Sequence, residues 1–84
     1  MGIWVRSQNK EILMNLEYFE IQEPNYEEVK AVIFSSGYIL GRYSTKEKAL
    51  KVLDMIEMHI EDLEYKIHNR NVIFQMPQDI DEVE

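Results

Sequence analysis

One uninterrupted amphipathic pattern lies in the second half of this 84-residue chain and most constrains its fold. No glycine or proline occurs between residues 45 and 68, and apolar side chains recur there at intervals of three and four, the period of a helix that buries one face. Ser44 followed by Glu47 has the spacing of a capping box, which predicts Ser44 as the N-cap. The predicted helix, about 45–68, is roughly 35 Å long, so part of its apolar stripe should overhang a sheet of ordinary strands. The stripe consists of Ala49, Val52, Leu53, Ile56, Ile60, Leu63 and Ile67.

The segments that flank this helix have the composition of short strands. A turn at 7–10 joins the first two strands into a hairpin, and a turn at 35–37 joins a later pair. Gly41, inside a strand pattern, indicates a bulge or a close approach by another backbone. The sequence therefore predicts an α+β fold, with a four- or five-stranded, mostly antiparallel sheet that carries the long helix on one face. The predicted strands are 3–6, 12–14, 16–22, 27–34 and 38–43, and 72–76 is a last strand or a docking arm.

Length and charge limit the class of protein. The chain has the size of one domain, which we expect over 1–77, followed by an acidic, disordered tail over 78–84. Nine Lys and Arg residues against sixteen Asp and Glu residues give a net charge of −7, which disfavours direct binding to nucleic acid. No apolar run approaches the ~20 residues of a membrane span, and no secretory signal pattern is present. Because the chain has no cysteine, we expect a cytoplasmic protein without disulfides.

Residues that could carry catalysis or bind a metal are few. His59 and His68 fall on opposite sides of the predicted helix, so they cannot share one ion within a chain, and both are expected to be surface residues or to flank the stripe. The chain has no cysteine, and no serine lies in a G-x-S-x-G turn, which removes the common nucleophiles. The helix carboxylates fall on or beside its predicted solvent face. We therefore expect no catalytic residues, no cofactor and no metal.

Cations gather where the predicted helix begins, although the chain is otherwise acidic. Arg42, Lys46, Lys48 and Lys51 place four of the nine cations within ten residues, at the helix end whose dipole disfavours positive charge. Because a helix N-terminus also presents free N–H groups to anions, the pattern predicts a site for an anionic ligand. The alternative is structural: the lysines pair with Glu47 and the acidic strands, and the aromatic residues pack. The predicted ligand-binding residues are Arg42, Lys46, Lys48, Trp4, Tyr38, Tyr43 and Arg6.

Apolar residues on the back of the predicted helix indicate self-association. Met58 and Tyr65 lie seven residues apart, almost opposite the main stripe. Together with the overhanging stripe and the 72–76 segment, they predict a homodimer or a larger oligomer. The predicted interface residues are Met58, Tyr65 and Phe74. Ile60→Asp is expected instead to unfold the chain, because Ile60 belongs to the predicted core.

Three stretches of the sequence carry a family resemblance. Residues 4–8 read W-V-R-S-Q, residues 40–56 read L-G-R-Y-S-T-K-E-K-A-L-K-V-L-D-M-I, and residues 74–77 read F-Q-M-P. They resemble a group of small proteins carried by phages and mobile elements of Gram-positive bacteria, with the patterns W-[IV]-R-S-Q, L-G-x-Y and [ST]-x-E-[KR]-A-x-x-V-L-D-x-I. The resemblance implies a phage accessory protein, a class in which small acidic proteins that disarm host defence are common.

Two mechanisms suit such a protein. In the first, an oligomer sequesters an anionic nucleotide signal of host immunity at the cations of the helix start. In the second, an acidic surface enters the nucleic-acid channel of a host defence enzyme and imitates phosphate charge. A purely structural or assembly role is the third alternative. The acidic residues of the second mechanism are Glu57, Glu61, Asp62, Glu64 and the tail.

Overall fold

The computed structural model describes residues 2–24, 27–65 and 72–79, which form six short strands and one long helix. The α+β class predicted from the sequence is confirmed. The strands form two three-stranded sheets rather than one sheet of four or five strands. In chain order the elements are β1 (Ile3–Arg6), β2 (Leu13–Leu16), β3 (Glu20–Gln22), β4 (Ala31–Ser35), β5 (Tyr38–Tyr43), α1 (Lys46–Tyr65) and β6 (Ile73–Gln75).

β1, β2 and β6 form the N-terminal sheet, in the order β2-β1-β6. β1 and β2 pair as the predicted antiparallel hairpin. β6 pairs with β1 in parallel, an arrangement that needs a long connection, and the chain between β1 and β6 includes the whole helix. Ile3 and Val5 are buried while Trp4 and Arg6 are exposed, so one face of this sheet packs on the core and the other meets solvent. Of the two alternatives predicted for 72–76, the strand is the one observed.

β3, β4 and β5 form the central sheet, which is antiparallel throughout and has β4 in the middle. β4 is buried over most of its length on both faces, as a central strand should be. The continuous strand predicted over 16–22 is wrong, because β2 ends at Leu16 and residues 17–19 carry the chain to the other sheet before β3 begins. The Ser35 hydroxyl donates a hydrogen bond to the Tyr18 carbonyl at 2.6 Å and ties this crossing segment to β4.

The hairpin of β4 and β5 contains the predicted turn and the predicted bulge. Ser36 and Gly37 have φ angles of 53° and 87°, the positive values of a type I′ turn, whose twist matches that of paired strands. The ladder is irregular where Leu40 is inserted next to Gly41. The close approach at Gly41 is made by a side chain rather than a backbone, because a Cβ there would lie 2.8 Å from the Tyr43 hydroxyl oxygen.

The helix α1 begins one residue later than the capping-box spacing predicts. Thr45 Oγ1 accepts a hydrogen bond from the Lys48 N–H at 3.1 Å, the contact that an N-cap makes with the third helical residue. Thr45 is therefore the N-cap, and the prediction of Ser44 in that role is wrong. The Ser44 N–H and hydroxyl bond to Asp79 instead.

The apolar stripe of α1 faces the core chiefly along its first half. Ala49, Val52 and Ile56 are buried, and the stripe is confirmed there. Ile60 is 40% exposed, so its predicted placement in the core is wrong. The start of β1 lies beside this turn of the helix, and an open cleft remains between them. Ile67, the predicted helix end near residue 68 and the tail from residue 80 lie outside the described residues.

Candidate functional site

The cations predicted to form one anion site lie in different surroundings. Arg42 is exposed on β5 in the central sheet, whereas Lys46 and Lys48 belong to α1. The Lys46 ammonium lies 3.6 Å from a carboxylate oxygen of Glu23, and that of Lys48 lies 3.6 Å from one of Asp79. Both lysines therefore have carboxylate partners within the chain, as the structural alternative predicts, although neither partner is Glu47.

Asp79 supplies negative charge at the start of α1. Its Oδ1 accepts hydrogen bonds from the Ser44 N–H at 3.0 Å and from the Ser44 hydroxyl at 3.3 Å, and it also pairs with Lys48. A carboxylate at this end of a helix interacts favourably with the dipole, typically by about 0.3–1 kcal/mol. An external anion would have to compete with a carboxylate that the chain already holds there.

The aromatic residues predicted to stack on a ligand are divided between the surface and the core. Trp4 on the N-terminal sheet and Tyr38 at the start of β5 are each about half exposed. Tyr43 is 1% exposed, and its hydroxyl donates to the Pro77 carbonyl at 2.8 Å. Tyr43 therefore offers no stacking surface in this fold, which corrects the predicted site. Arg6 is exposed, and its Nε–H donates to the Lys10 carbonyl at 3.0 Å.

The structure brings together a different set of residues around Gln8. The Gln8 N–H donates to the Leu40 carbonyl at 2.7 Å. Its side-chain amide accepts from the Arg42 N–H at 2.8 Å and donates to the Arg42 carbonyl at 3.1 Å, and Nε2 also donates to the Pro77 carbonyl at 3.1 Å. Gln8 therefore pairs with the edge of β5 as a strand residue would, and it joins the two sheets.

Two further glutamines complete what we call the glutamine hub, which consists of Gln8, Gln75 and Gln78. Gln75 Nε2 donates to the carbonyls of Ser7 and Met76, each at 3.0 Å. Gln78 Nε2 donates to the Gln8 carbonyl at 2.8 Å. The three stretches that carry the family resemblance all supply hydrogen-bonding groups to this hub, so much of their pattern serves the fold. These stretches are 4–8, 40–56 and 74–77.

The outward side of α1 carries exposed acids and one exposed apolar residue. Glu47, Asp54 and Glu61 recur at intervals of seven and are exposed, which places them in a line roughly 20 Å long. Met58, next to this line, is 62% exposed. We call these four residues the acidic face. The Asp54 carboxylate makes no hydrogen bond or ion pair with the described part of the chain.

The residues predicted to form an oligomer interface are also divided. Met58 is on the surface, but Phe74 is buried, with its ring packed edge-on against that of His59 at a centroid distance of 5.4 Å. His59 flanks the buried stripe, one of the positions predicted for it, and its Nε2 is buried without a hydrogen-bond partner among the described residues. The Tyr65 side chain and His68 lie outside the described part of the structure. In residues 2–24, 27–65 and 72–79, no three metal-ligating side chains are grouped to hold an ion.

An apolar cleft opens beside the exposed turn of α1. It has a volume of about 510 Å³ and lies between the start of β1 and the last described turns of the helix. Leu50, further toward the helix start, is 46% exposed. The sequence predicts that part of the stripe overhangs the sheet, but it identifies neither this cleft nor Leu50, which lies outside the stripe. The residues that line the cleft are Gly2, Ile3, Ile60, Leu63 and Glu64.

Comparisons with known proteins find no match, whether with protein-family models, with curated proteins or with solved structures. Within the described residues, no helix has the length and apolar character needed to cross a membrane. The family resemblance therefore stays an expectation from the sequence motifs. The function is inferred from the geometry of the surface.

Proposed function

We propose that this chain is a non-enzymatic accessory protein of the phage type that binds a host defence protein through the acidic face of α1. The observation that carries the proposal is the line of exposed carboxylates on this face, in which Asp54 has no partner within the described chain. Carboxylates in a line on a helix are complementary to a basic groove that binds phosphates, and Met58 adds apolar contact beside them. The net charge of −7 would steer the chain toward such a groove in the host cytoplasm.

The pairing of the lysines at the helix start favours binding through the acidic face over the sequestration of a nucleotide. Lys46 and Lys48 each lie 3.6 Å from a carboxylate of the chain, which lowers the positive potential available to a phosphate. Tyr43 is buried, and the remaining aromatic candidates, Trp4 and Tyr38, belong to different sheets. The proposed site therefore uses the acids of α1 rather than its lysines.

The test is retention of a host protein from a Gram-positive lysate by the immobilised chain. Asp54→Asn combined with Glu61→Gln removes two charges from the acidic face without changing side-chain size. Glu27→Gln combined with Glu28→Gln is the matched control, because both residues are exposed and lie outside α1. We expect the first variant to lose the retained protein and the control to keep it. Binding should weaken with added salt, because exposed charges are screened beyond about 8 Å at physiological ionic strength.

Two results would contradict the proposal. If both variants retain the same host protein as the unaltered chain, the acidic face is not the binding surface. If denaturing release yields a nucleotide and no protein, sequestration of a signal is the better function. A third result would support mimicry of phosphate charge. In this result the retained host protein binds nucleic acid, and added nucleic acid displaces that protein from the chain.

A further inference from the structure

A second surface of α1 has the properties of a contact between two copies of this chain. Six residues spaced alternately by four and three lie along one side of the helix, next to the acidic face but sharing no residue with it. Two of them, Leu50 and Ile60, are 46% and 40% exposed, although apolar residues at this spacing are those that paired helices bury. We call this set the helix seam: Lys46, Leu50, Leu53, Glu57, Ile60 and Glu64.

Charge is distributed along α1 in a way that a single helix does not favour. In the described range Lys46–Tyr65 the cations lie within the first six residues, and from 52 to 64 every charged residue is an acid; Lys66 follows in the sequence, outside the described residues. Positive charge near the N-terminus and negative charge near the C-terminus both oppose the helix dipole. Two such helices lying side by side in opposite directions bring the lysines at the start of each next to the acids toward the end of the other, and these lysines can pair with those acids as well as with Glu23 and Asp79 of their own chain.

We propose that two copies of this chain pair through the helix seam in an antiparallel arrangement about a two-fold axis. In this register Lys46, whose exposed ammonium also lies 3.6 Å from Glu23 of its own chain, faces the partner's Glu64. Leu50 faces the partner's Ile60, and symmetry makes each contact twice. The cleft of about 510 Å³ beside Ile60 is open to receive the partner's Leu50. Exposed apolar side chains, an open apolar cleft and complementary charge therefore coincide in one register.

This contact differs from the one predicted from sequence, which places Met58 and Tyr65 at the interface. A pairing through that back surface would join Lys51 to the partner's Glu61 instead, because those residues occupy equivalent positions there. The seam also leaves the acidic face of both copies exposed. The dimer is independent of the proposed function, since one copy could bind a host protein alone.

The experiment is a charge swap measured by light scattering over a range of micromolar concentrations. The unaltered chain should have twice the 10.1 kDa mass of one copy. Lys46→Glu and Glu64→Lys should each raise the dissociation constant by about tenfold, because both symmetric ion pairs become repulsive. The double variant should restore the dimer. Lys51→Glu with Glu61→Lys is the matched control, and its single changes should have much smaller effects.

Leu50→Asp adds a test that does not depend on ion pairs. Because Leu50 is 46% exposed, the variant should keep its helical circular dichroism while losing the dimer. A mass of 10.1 kDa for the unaltered chain at every concentration would overturn the proposal. The proposal would also be overturned if the double variant of Lys46→Glu and Glu64→Lys dimerised no better than either single variant. Rescue confined to the Lys51 and Glu61 pair would place the contact on the back of the helix and would also refute the seam.

Discussion

Replacing Gln8 with alanine should destabilise the fold more than its partly exposed position suggests. The side-chain amide makes three hydrogen bonds, one from the Arg42 N–H, one to the Arg42 carbonyl and one to the Pro77 carbonyl. These bonds join the N-terminal turn to the edge of β5 and to the C-terminal segment. Gln8→Ala removes all three and leaves the edge of β5 without a side-chain partner.

The magnitude follows from the number of bonds and from their exposure. A neutral hydrogen bond contributes about 0.5–1.5 kcal/mol net, and the lower half of that range applies where water can replace the lost partner. Since two of the three bonds are exposed and one is partly buried, we expect a loss of about 2 kcal/mol in the free energy of unfolding. In a domain of this size about 1 kcal/mol shifts Tm by about 4–8 °C, so the expected fall is about 8–16 °C.

Urea and thermal unfolding followed by circular dichroism and by Trp4 fluorescence would measure this change. Gln22→Ala is the matched control, because Gln22 is exposed on β3 and, among the described residues, its side-chain amide bonds only to the Glu20 side chain at 3.3 Å. Gln8→Glu is a stricter variant, since it keeps an acceptor for the Arg42 N–H but loses both donations and brings a carboxylate toward two carbonyls. If Gln8→Ala and Gln22→Ala lose the same stability, the glutamine hub does not hold the sheets together.

Four further substitutions test three local features by their effect on thermal unfolding. Gly41→Ala should cost about 2 kcal/mol, because its Cβ would lie 2.8 Å from the buried Tyr43 hydroxyl oxygen; an unchanged Tm would mean that Tyr43 can move. Thr45→Ala should cost about 1 kcal/mol and Ser44→Ala less, and the reverse order would restore Ser44 as the N-cap. His59→Phe should raise stability by about 1 kcal/mol by removing an unpartnered buried nitrogen, whereas a loss of stability would show that Nε2 has a partner.

The sequence predicted those parts of the fold that depend on local periodicity. The first hairpin, the turn at Ser36 and Gly37, the strand β5 and the first half of the stripe on α1 all have patterns confined to adjacent residues. The strand predicted over 16–22 failed because alternation of apolar residues continues across 17–19, where the chain changes sheets. Periodicity reports which residues face a core, but it does not report which sheet they belong to.

The candidate site was harder to predict because its decisive contacts join distant parts of the chain. Serine is a slightly better cap than threonine by residue type, yet Thr45 is the observed cap, and this choice accompanies a bond from Ser44 to Asp79, 35 residues away. The same carboxylate pairs with Lys48, so the apparent excess of cations at the helix start includes a lysine with an internal partner. The cation cluster was visible in the sequence, but the acids that pair with it were not.

The resemblance pattern can be divided into residues that the fold requires and residues that it does not. Thr45 supplies the N-cap, Ala49 and Val52 are buried, and the glutamine hub uses parts of all three stretches. Asp54 lies in the same pattern, yet it is exposed and its carboxylate makes no hydrogen bond or ion pair with the described chain. An acid in the middle of a helix, away from both termini, gains little from the dipole. Since Asp54 contributes neither packing nor capping and its carboxylate is solvated, its replacement should leave the fold intact, which is why the proposed binding test begins there.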